Sequence, residues 1–296
     1  MVGKQAIKIT HEDKILFPKS KIIKNDIIQY YARIADIMIP YVKNRPIMMH
    51  RFPKGINHKG FFQKNISDYF PKWIKEAPVE RQDEELVHYA LINNPQTLVY
   101  LANQGCITPH IWLSKVDKLN YPDKMIFDLD PSGKSFDQVR SGAKKMKKLF
   151  ELLDLKTYVM TTGSRGLHVV IPLKRVHTFD YVRAFAKDIS SILVKQYPKL
   201  FTNEIRKEKR CKKIFIDIYR NSFAQTSVAP YAIRAKERAP IATPIDWGEV
   251  TSTLTPTKYT IKNIFKRLSR KEDPWKDMFN FSCDLKKAKK IVKSMM

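Results

Sequence analysis

Cysteine is scarce in this chain: Cys106, Cys211 and Cys283 are the only three in 296 residues. An odd number of distant thiols excludes a disulfide framework and does not match zinc-ligand spacing, so structural thiols in a reduced, cytoplasmic compartment are expected. Glycine is limited to nine residues, and neither a low-complexity linker nor an internal repeat is present. A flexible tether between independent domains is therefore not expected. No apolar run approaches the ~18 residues of a membrane-spanning helix. No strong basic amphipathic segment suits a bilayer interface, and the opening MVGKQAIKITHEDK lacks the apolar core of a signal peptide. Acidic residues are also in deficit, 29 Asp and Glu against 55 Lys and Arg, for a formal net charge of +26. The excess is spread along the chain, so it belongs to the folded surface, and a polyanion such as nucleic acid is the leading partner, with no membrane implied.

What is present is a chain with 43% hydrophobic residues, enough to bury the core of one large or two modest domains. From Lys124 the pattern is legible. KMIFDLD reads as a strand, and SFDQVRSGAKKMKKLFELL as a helix capped near Ser135 with Val139, Met146, Leu149, Phe150 and Leu153 on its apolar side. KTYVMTT is a second strand, GSRG a turn and LHVVIPL a third strand. TFDYVRAFAKDISSILVKQY is a helix with Val182, Phe185, Ala186, Ile189, Ile192 and Leu193 on one stripe, and KIFIDIYR a fourth strand. This βαββαβ order is that of the ferredoxin-like or RNA-recognition-motif unit, whose first and third strands are central with the fourth beside the first.

Strand alternation then makes a specific prediction. If Phe127 and Leu129 face the helices, Asp128 and Asp130 face the open side. By the same parity Leu167, Val169 and Ile171 go inward and His168 outward, while Ile214, Ile216 and Ile218 go inward and Asp217 outward. Three carboxylates and a histidine converge on one face. Carboxylates without basic partners repel, and burial adds to the cost unless a cation neutralises them. An all-oxygen donor set favours Mg²⁺ or Mn²⁺, and two such ions about 4 Å apart suit nucleotidyl transfer. A solvated strand edge or a turn cap before Pro131 is the alternative.

TTGSRGLH could cradle a triphosphate with backbone amides, Ser164 and Arg165, or be only a hairpin turn. HRFPKGINHKGFFQKN interleaves Arg51, Lys54, Lys59 and Lys64 with Phe61 and Phe62, the ingredients of a stacking platform for nucleic acid, although a Phe pair also suits a core. Lys14, Lys24 and His110 are individually uninformative. In the N-terminal third, KNDIIQYYARIADIMIPYV predicts a helix with Asn25 near its cap and RPIMMHRF a strand. PTKYTIKNIFKRLSRKEDPW predicts a helix beginning after Pro256, with Ile261, Ile264, Phe265 and Leu268 buried.

KMIFDLDPS, TTGSRGLHVVIPL and KIFIDIYRNSFAQTSVAPYAIRAKERAPIATPIDW together resemble the three motifs of the polymerase domain of bacterial ligase D, within the archaeo-eukaryotic primase superfamily. Similarity extends to DKILFPKSKIIKNDIIQYY, RPIMMHRFPKGINHKGFFQKN and PHIWLSKVDKLNYPDKM, covering nearly the whole chain. The fold implied is α+β and primase-like: a catalytic module at about 111–250 packed with an N-terminal α/β module at about 1–110, and a helical tail at about 256–296.

By position, the resemblance implies Asp128, Asp130 and Asp217 as catalytic metal ligands for two Mn²⁺ or Mg²⁺ ions. Ser164, Arg165 and His168 would hold the incoming nucleotide, with Gln225 and Arg234 near its phosphates and His110 beside the site. Lys14 and Lys24 would grip a 5′-phosphate, Phe61 and Phe62 stack on the template, and Arg51 and Lys64 contact the DNA backbone. The implied activity is addition of nucleotides, preferably ribonucleotides, to 3′-hydroxyl ends at gaps and double-strand breaks bearing a 5′-phosphate, in bacterial non-homologous end joining close to the nucleoid. The implied partners are that DNA and NTP or dNTP substrates; Ku and a DNA ligase are partners the resemblance allows. Between Met1 and Met296 there is no room for ligase or nuclease modules, so a polymerase alone is expected, as a separate protein or as one domain. Two rivals differ in class. A haloacid-dehalogenase-like phosphatase would use Asp128 as nucleophile in a doubly wound sheet, and a non-catalytic nucleic-acid module would present aromatics on an open sheet.

Overall fold

The structure, a computed structural model, describes residues 7–81, 84–133 and 135–296. After a short antiparallel ribbon of Ile15–Phe17 with Ile22–Ile23 come, in chain order, helix α1 (Lys24–Val42), strands β1 (Pro46–Arg51), β2 (Phe61–Gln63), β3 (Glu76–Arg81) and β4 (Glu84–Leu91), helix α2 (Pro95–Asn103) and strand β5 (Cys106–Trp112). There follow β6 (Lys124–Pro131), α3 (Phe136–Leu152), β7 (Tyr158–Thr161), β8 (Leu167–Pro172), α4 (Phe179–Gln196), β9 (Phe201–Thr202) and β10 (Ile214–Asp217). Last come β11 (Thr226–Val228), β12 (Thr243–Ile245), α5 (Ile264–Leu268) and α6 (Lys286–Met295). The chain divides into two units. The first takes everything up to Asp117 together with Thr226–Ala242 and Tyr259–Arg270; the second takes Lys118–Gln225, Thr243–Lys258 and Lys271–Met296.

The second unit is built on a six-stranded sheet in the order β9-β10-β6-β8-β7-β12. Its four inner strands therefore run fourth, first, third, second, as the ferredoxin-like order requires. The central strand β6 is antiparallel to both β8 and β10, which excludes the parallel, doubly wound sheet of the phosphatase rival. Alternation holds along β6: Phe127 and Leu129 are fully buried, and the Phe127 ring lies 5.3 Å from that of Phe150 on α3. Gly142 of α3 has a packing reason, since a Cβ there would come within 2.9 Å of Ile214 Cδ1 and of the Phe201 ring. The apolar stripes predicted for α3 and α4 are buried residue for residue. Trp275, 2% exposed, secures the C-terminal segment by donating its indole N–H to the Val159 carbonyl at 3.2 Å.

The first unit carries a sheet in the order β11-β5-β1-β4-β3, with β2 paired to β1. Helix α1 packs Ile27, Ile28, Ile34 and Met38 into its core. Its two buried tyrosines satisfy their hydroxyls on carbonyls, Tyr30 on Tyr231 and Tyr31 on Ile107, both at 2.6 Å.

Four expectations are corrected. Asn25 lies inside α1, and the helix start is capped instead by Asp26, whose carboxylate accepts the Ile23 N–H at 2.9 Å. Ser135 occupies the N-cap position of α3 without a side-chain cap bond. The fourth strand stops at Asp217, and Ile218 is half-buried at the start of a 3₁₀ turn rather than in the helix-facing core. The helix after Pro256 shrinks to the five residues of α5, of whose predicted stripe only Ile264 is fully buried. Among the described residues no helix is long and apolar enough to cross a membrane. All three cysteines are unpaired, and burial pushes the Cys106 thiol up to about 12 and that of Cys283 to about 11.

Candidate active site

In the second unit the predicted residues meet in a cross-strand row. Asp128 stands opposite His168 of β8 on one side and opposite Asp217 of β10 on the other, while Asp130 stands opposite Phe215. Directly opposed residues have neighbouring side chains, so the row is a consequence of strand register, which the buried alternate residues lock in place. His168 is 3% exposed; its Nε2 lies 3.5 Å from Asp128 Oδ2, and its Nδ1 makes no hydrogen bond to any described group. The Asp217 carboxyl is raised above the usual carboxylate range. Burial is the main cause and the Asp128 charge adds to it, against the Arg220 guanidinium, the Tyr219 N–H and His168.

The turn between β7 and β8 closes on Thr162, whose hydroxyl accepts the N–H groups of Ser164 and Gly166. Gly166 is obligatory here: a Cβ would fall 2.2 Å from the Leu129 carbonyl oxygen of β6. That close approach draws Arg165 over the row, where its Nη2 donates to Asp130 at 2.9 and 3.2 Å. Arg210 reaches the same carboxylate at 3.3 Å. Its guanidinium is held rigidly by the Glu204 and Ile205 carbonyls, at 2.9 and 2.7 Å, and stacks over Phe215 at 4.0 Å. Asp217 has its own partners in the Tyr219 N–H, at 2.8 Å, and Arg220 Nε, at 3.6 Å. Sequence reading missed Arg210 and Arg220. The first sits in RKEKRCKK, indistinguishable by composition from a solvated basic loop, and the second only faces Asp217 because the strand ends there.

Among the described residues no three His, Cys, Asp or Glu side chains are gathered as a ready-made metal cluster. Asp130 instead leans on two guanidiniums. The donor set nevertheless suits a hard divalent ion. It is all oxygen, comes from adjacent strands on one face, and includes two opposed carboxylates, of which Asp217 is raised mainly by burial and further by the Asp128 charge. The two aromatics that register puts on this face, Phe215 and Tyr158, are both buried, unlike the exposed rings of an RNA-recognition sheet.

The first unit gathers the other predicted residues. Phe61 and Phe62 on β2 are 45% and 55% exposed. Phe62 stacks on His50 at 4.0 Å and 18° and meets His110 edge-on at 5.8 Å. Burial, with help from the Arg234 charge, lowers His50 to about 4, so this stack is neutral at physiological pH. Arg51 is turned inward, 9% exposed, donating to the Gln104 carbonyl at 2.8 Å, to Gln63 at 2.5 Å and to Tyr69 at 3.1 Å. It braces the Phe61–Gln63 strand. Lys24 is also buried, with Nζ donating to the Thr10 carbonyl at 2.5 Å, and its ammonium is lowered by burial and by neighbouring Lys14, which is exposed. Lys64 and Arg234 are half-exposed in this unit, and Gln225 is exposed in the other.

Comparison with known proteins bears on the family and the fold. The family "LigD, primase-polymerase domain" matches residues 23–275. The multifunctional non-homologous end joining protein LigD of Mycolicibacterium smegmatis is 30% identical over 249 residues, 83% of this chain and 32% of that protein. The bifunctional non-homologous end joining protein LigD of Bacillus subtilis is 30% identical over 275 residues, 92% of this chain and 44% of that protein. The chain thus spans less than half the length of either relative. Among solved structures, the polymerase domain of Mycobacterium tuberculosis ligase D, in complex with DNA, superposes with a TM-score of 0.87 at 26% identity, covering 95% of this chain and 100% of that one.

Proposed function

Because the chain belongs to the LigD primase-polymerase domain family, we propose that it is a metal-dependent nucleotidyltransferase that extends 3′-hydroxyl ends of DNA at gaps and breaks carrying a 5′-phosphate, with ribonucleotides preferred. The observation that carries this reading is the register Asp217↔Asp128↔His168, with Asp130 on the same face. Two Mg²⁺ or Mn²⁺ ions held by the aspartates would supply Lewis-acid stabilisation of the attacking and leaving oxygens.

The chain's own residues account for the rest. Asp128 and Asp217, which stand opposite one another, would hold the ions together with Asp130. Arg165, which pairs with Asp130, would offer its guanidinium to a triphosphate, with Ser164 and the buried Nδ1 of His168 as further polar groups. Arg210 keeps its carbonyl partners and stays fixed as a positive wall over Phe215. On the first unit, the exposed Phe62, held face-on by neutral His50, supports stacking of a template base. Lys14 and Lys24 are two like charges in proximity, and a 5′-phosphate would relieve their repulsion.

The test is extension of a 5′-phosphorylated gapped duplex with each nucleotide type, in Mn²⁺ and in Mg²⁺, with and without the 5′-phosphate. Asp128→Ala with Asp130→Ala is expected to lower the rate by about a thousandfold or more. Retention of near-normal extension by that variant would sink the assignment.

A further inference from the structure

Strand β10 ends at the very residue that faces Asp128. The register pairs Asp217 with Asp128 and then stops, because the chain passes into the 3₁₀ turn Tyr219–Asn221. Two residues before Asp128, the main chain of Ile126 has thereby lost its strand partner; continued, the same register would have brought Tyr219 opposite it. An N–H and a C=O left open in the core would each carry the cost of a buried polar group without a partner. Asn221, fully buried, takes both. Its Oδ1 accepts the Ile126 N–H at 2.8 Å, and its Nδ2 donates to the Ile126 carbonyl at 2.7 Å and to the Ile218 carbonyl at 2.9 Å. A carboxamide presents donor and acceptor side by side, as main-chain peptide groups do, and here it stands in for the missing strand residue.

The substitution matters at the carboxylates. By alternation Tyr219 would point to the same face as Asp217 and set its ring beside the row. The turn carries the ring away instead: Tyr219 lines a cavity with Arg183 and Ala184 of α4, and the Arg183 guanidinium lies 5.4 Å from its centroid. The same turn aims the Tyr219 N–H at Asp217 Oδ1, at 2.8 Å, and leaves Arg220 Nε 3.6 Å from Oδ2. Beyond Asp217, then, the end of β10 is fastened to β6 by a side chain four residues further on.

We infer that Asn221 is a positioning residue for the carboxylate pair: it lets β10 end at Asp217, clearing the face of the Tyr219 ring, while tying the ended strand to β6 so that Asp217 stays opposite Asp128. The inference rests on the polymerase reading above for what the pair holds. A buried asparagine that only stabilised the fold would make the same bonds, so the two roles are separated by what its loss does to the pair.

The experiment measures Mn²⁺ binding from the free-ion signal in electron paramagnetic resonance, so that the pair is read independently of catalysis. Asn221→Leu, close in size and without polar atoms, is expected to weaken Mn²⁺ binding by about tenfold or more, and to lower kcat for gap extension with little change in KM for the DNA. Ile189→Ala, in the buried stripe of α4, is the control for lost stability; at a temperature where both variants are folded it should bind Mn²⁺ as the unaltered protein does. Asn221→Ser, shorter and still polar, takes the place of Asn221→Leu if that variant does not fold, and should move Mn²⁺ affinity in the same direction. Hydrogen exchange supplies a second readout: the Ile126 and Tyr219 amides should lose protection in the Asn221 variants relative to Val169 of β8. Unchanged Mn²⁺ affinity in a folded Asn221 variant, or an equal loss in Ile189→Ala, would overturn the inference. If the unaltered protein neither binds Mn²⁺ nor extends a gapped duplex, the polymerase reading falls by itself, and unchanged protection of Ile126 and Tyr219 in the variants would still overturn the positioning role.

Discussion

Asp217 shows folding and chemistry in opposition. Burial and the Asp128 charge raise its carboxyl above the unfolded value of 3.8, so the stability it contributes is present at low pH and is lost as pH rises through the folded value. At neutral pH the ionised group weakens the fold. Asp217→Asn is therefore expected to melt above the unaltered protein at pH 7 without divalent cation, and the difference should vanish below the ordinary carboxyl range. With Mn²⁺ added the gap should narrow or reverse, because only the unaltered carboxylate binds the ion and gains the linked stability. Thermal melting across pH, with and without Mn²⁺, checks both signs. The carboxylates and His168 were legible in sequence because alternation is a local rule. The burial of Arg51 and Lys24 was not legible, since composition reports charge and says nothing of exposure; the packing of Gln63, Gln104 and Thr10 around them turns them inward.

Elements α3 and α4 were legible for the same reason as the strands, a strong periodicity with one buried stripe. The tail was not. Its apolar spacing fits a helix, but residues 259–261 are already engaged with 239–241: the Ile241 N–H bonds to the Tyr259 carbonyl at 2.8 Å and the Ile261 N–H to the Ala239 carbonyl at 3.1 Å. That leaves only five residues free to coil as α5. Helix α3 offers the sharpest test of helix-on-sheet packing. Gly142→Val would drive a branched side chain into Ile214 and Phe201. Overpacking of this kind costs about 1–3 kcal/mol, and chemical denaturation should register it as a lowered midpoint with an unchanged slope. A loss of activity in excess of that stability change would point to displacement of β10 and the Asp217 it carries.

At the scale of the whole chain, the charge of +26 makes a prediction independent of any single contact. Affinity for duplex DNA should fall by about a hundredfold or more between about 50 and 200 mM salt, as bound counterions are released. A flat salt response in an anisotropy titration would remove DNA as the partner of this surface. The sequence by itself determined the charge, the βαββαβ order and the parity that sets Asp128, Asp130, His168 and Asp217 on one face, because each follows from local periodicity or from a sum over residues. Only the tertiary structure decided that residues 226–242 and 259–270 belong with the N-terminal unit and that Arg165 and Arg210 occupy Asp130. Those depend on where distant segments return in space, and long-range packing leaves no period in the sequence to read.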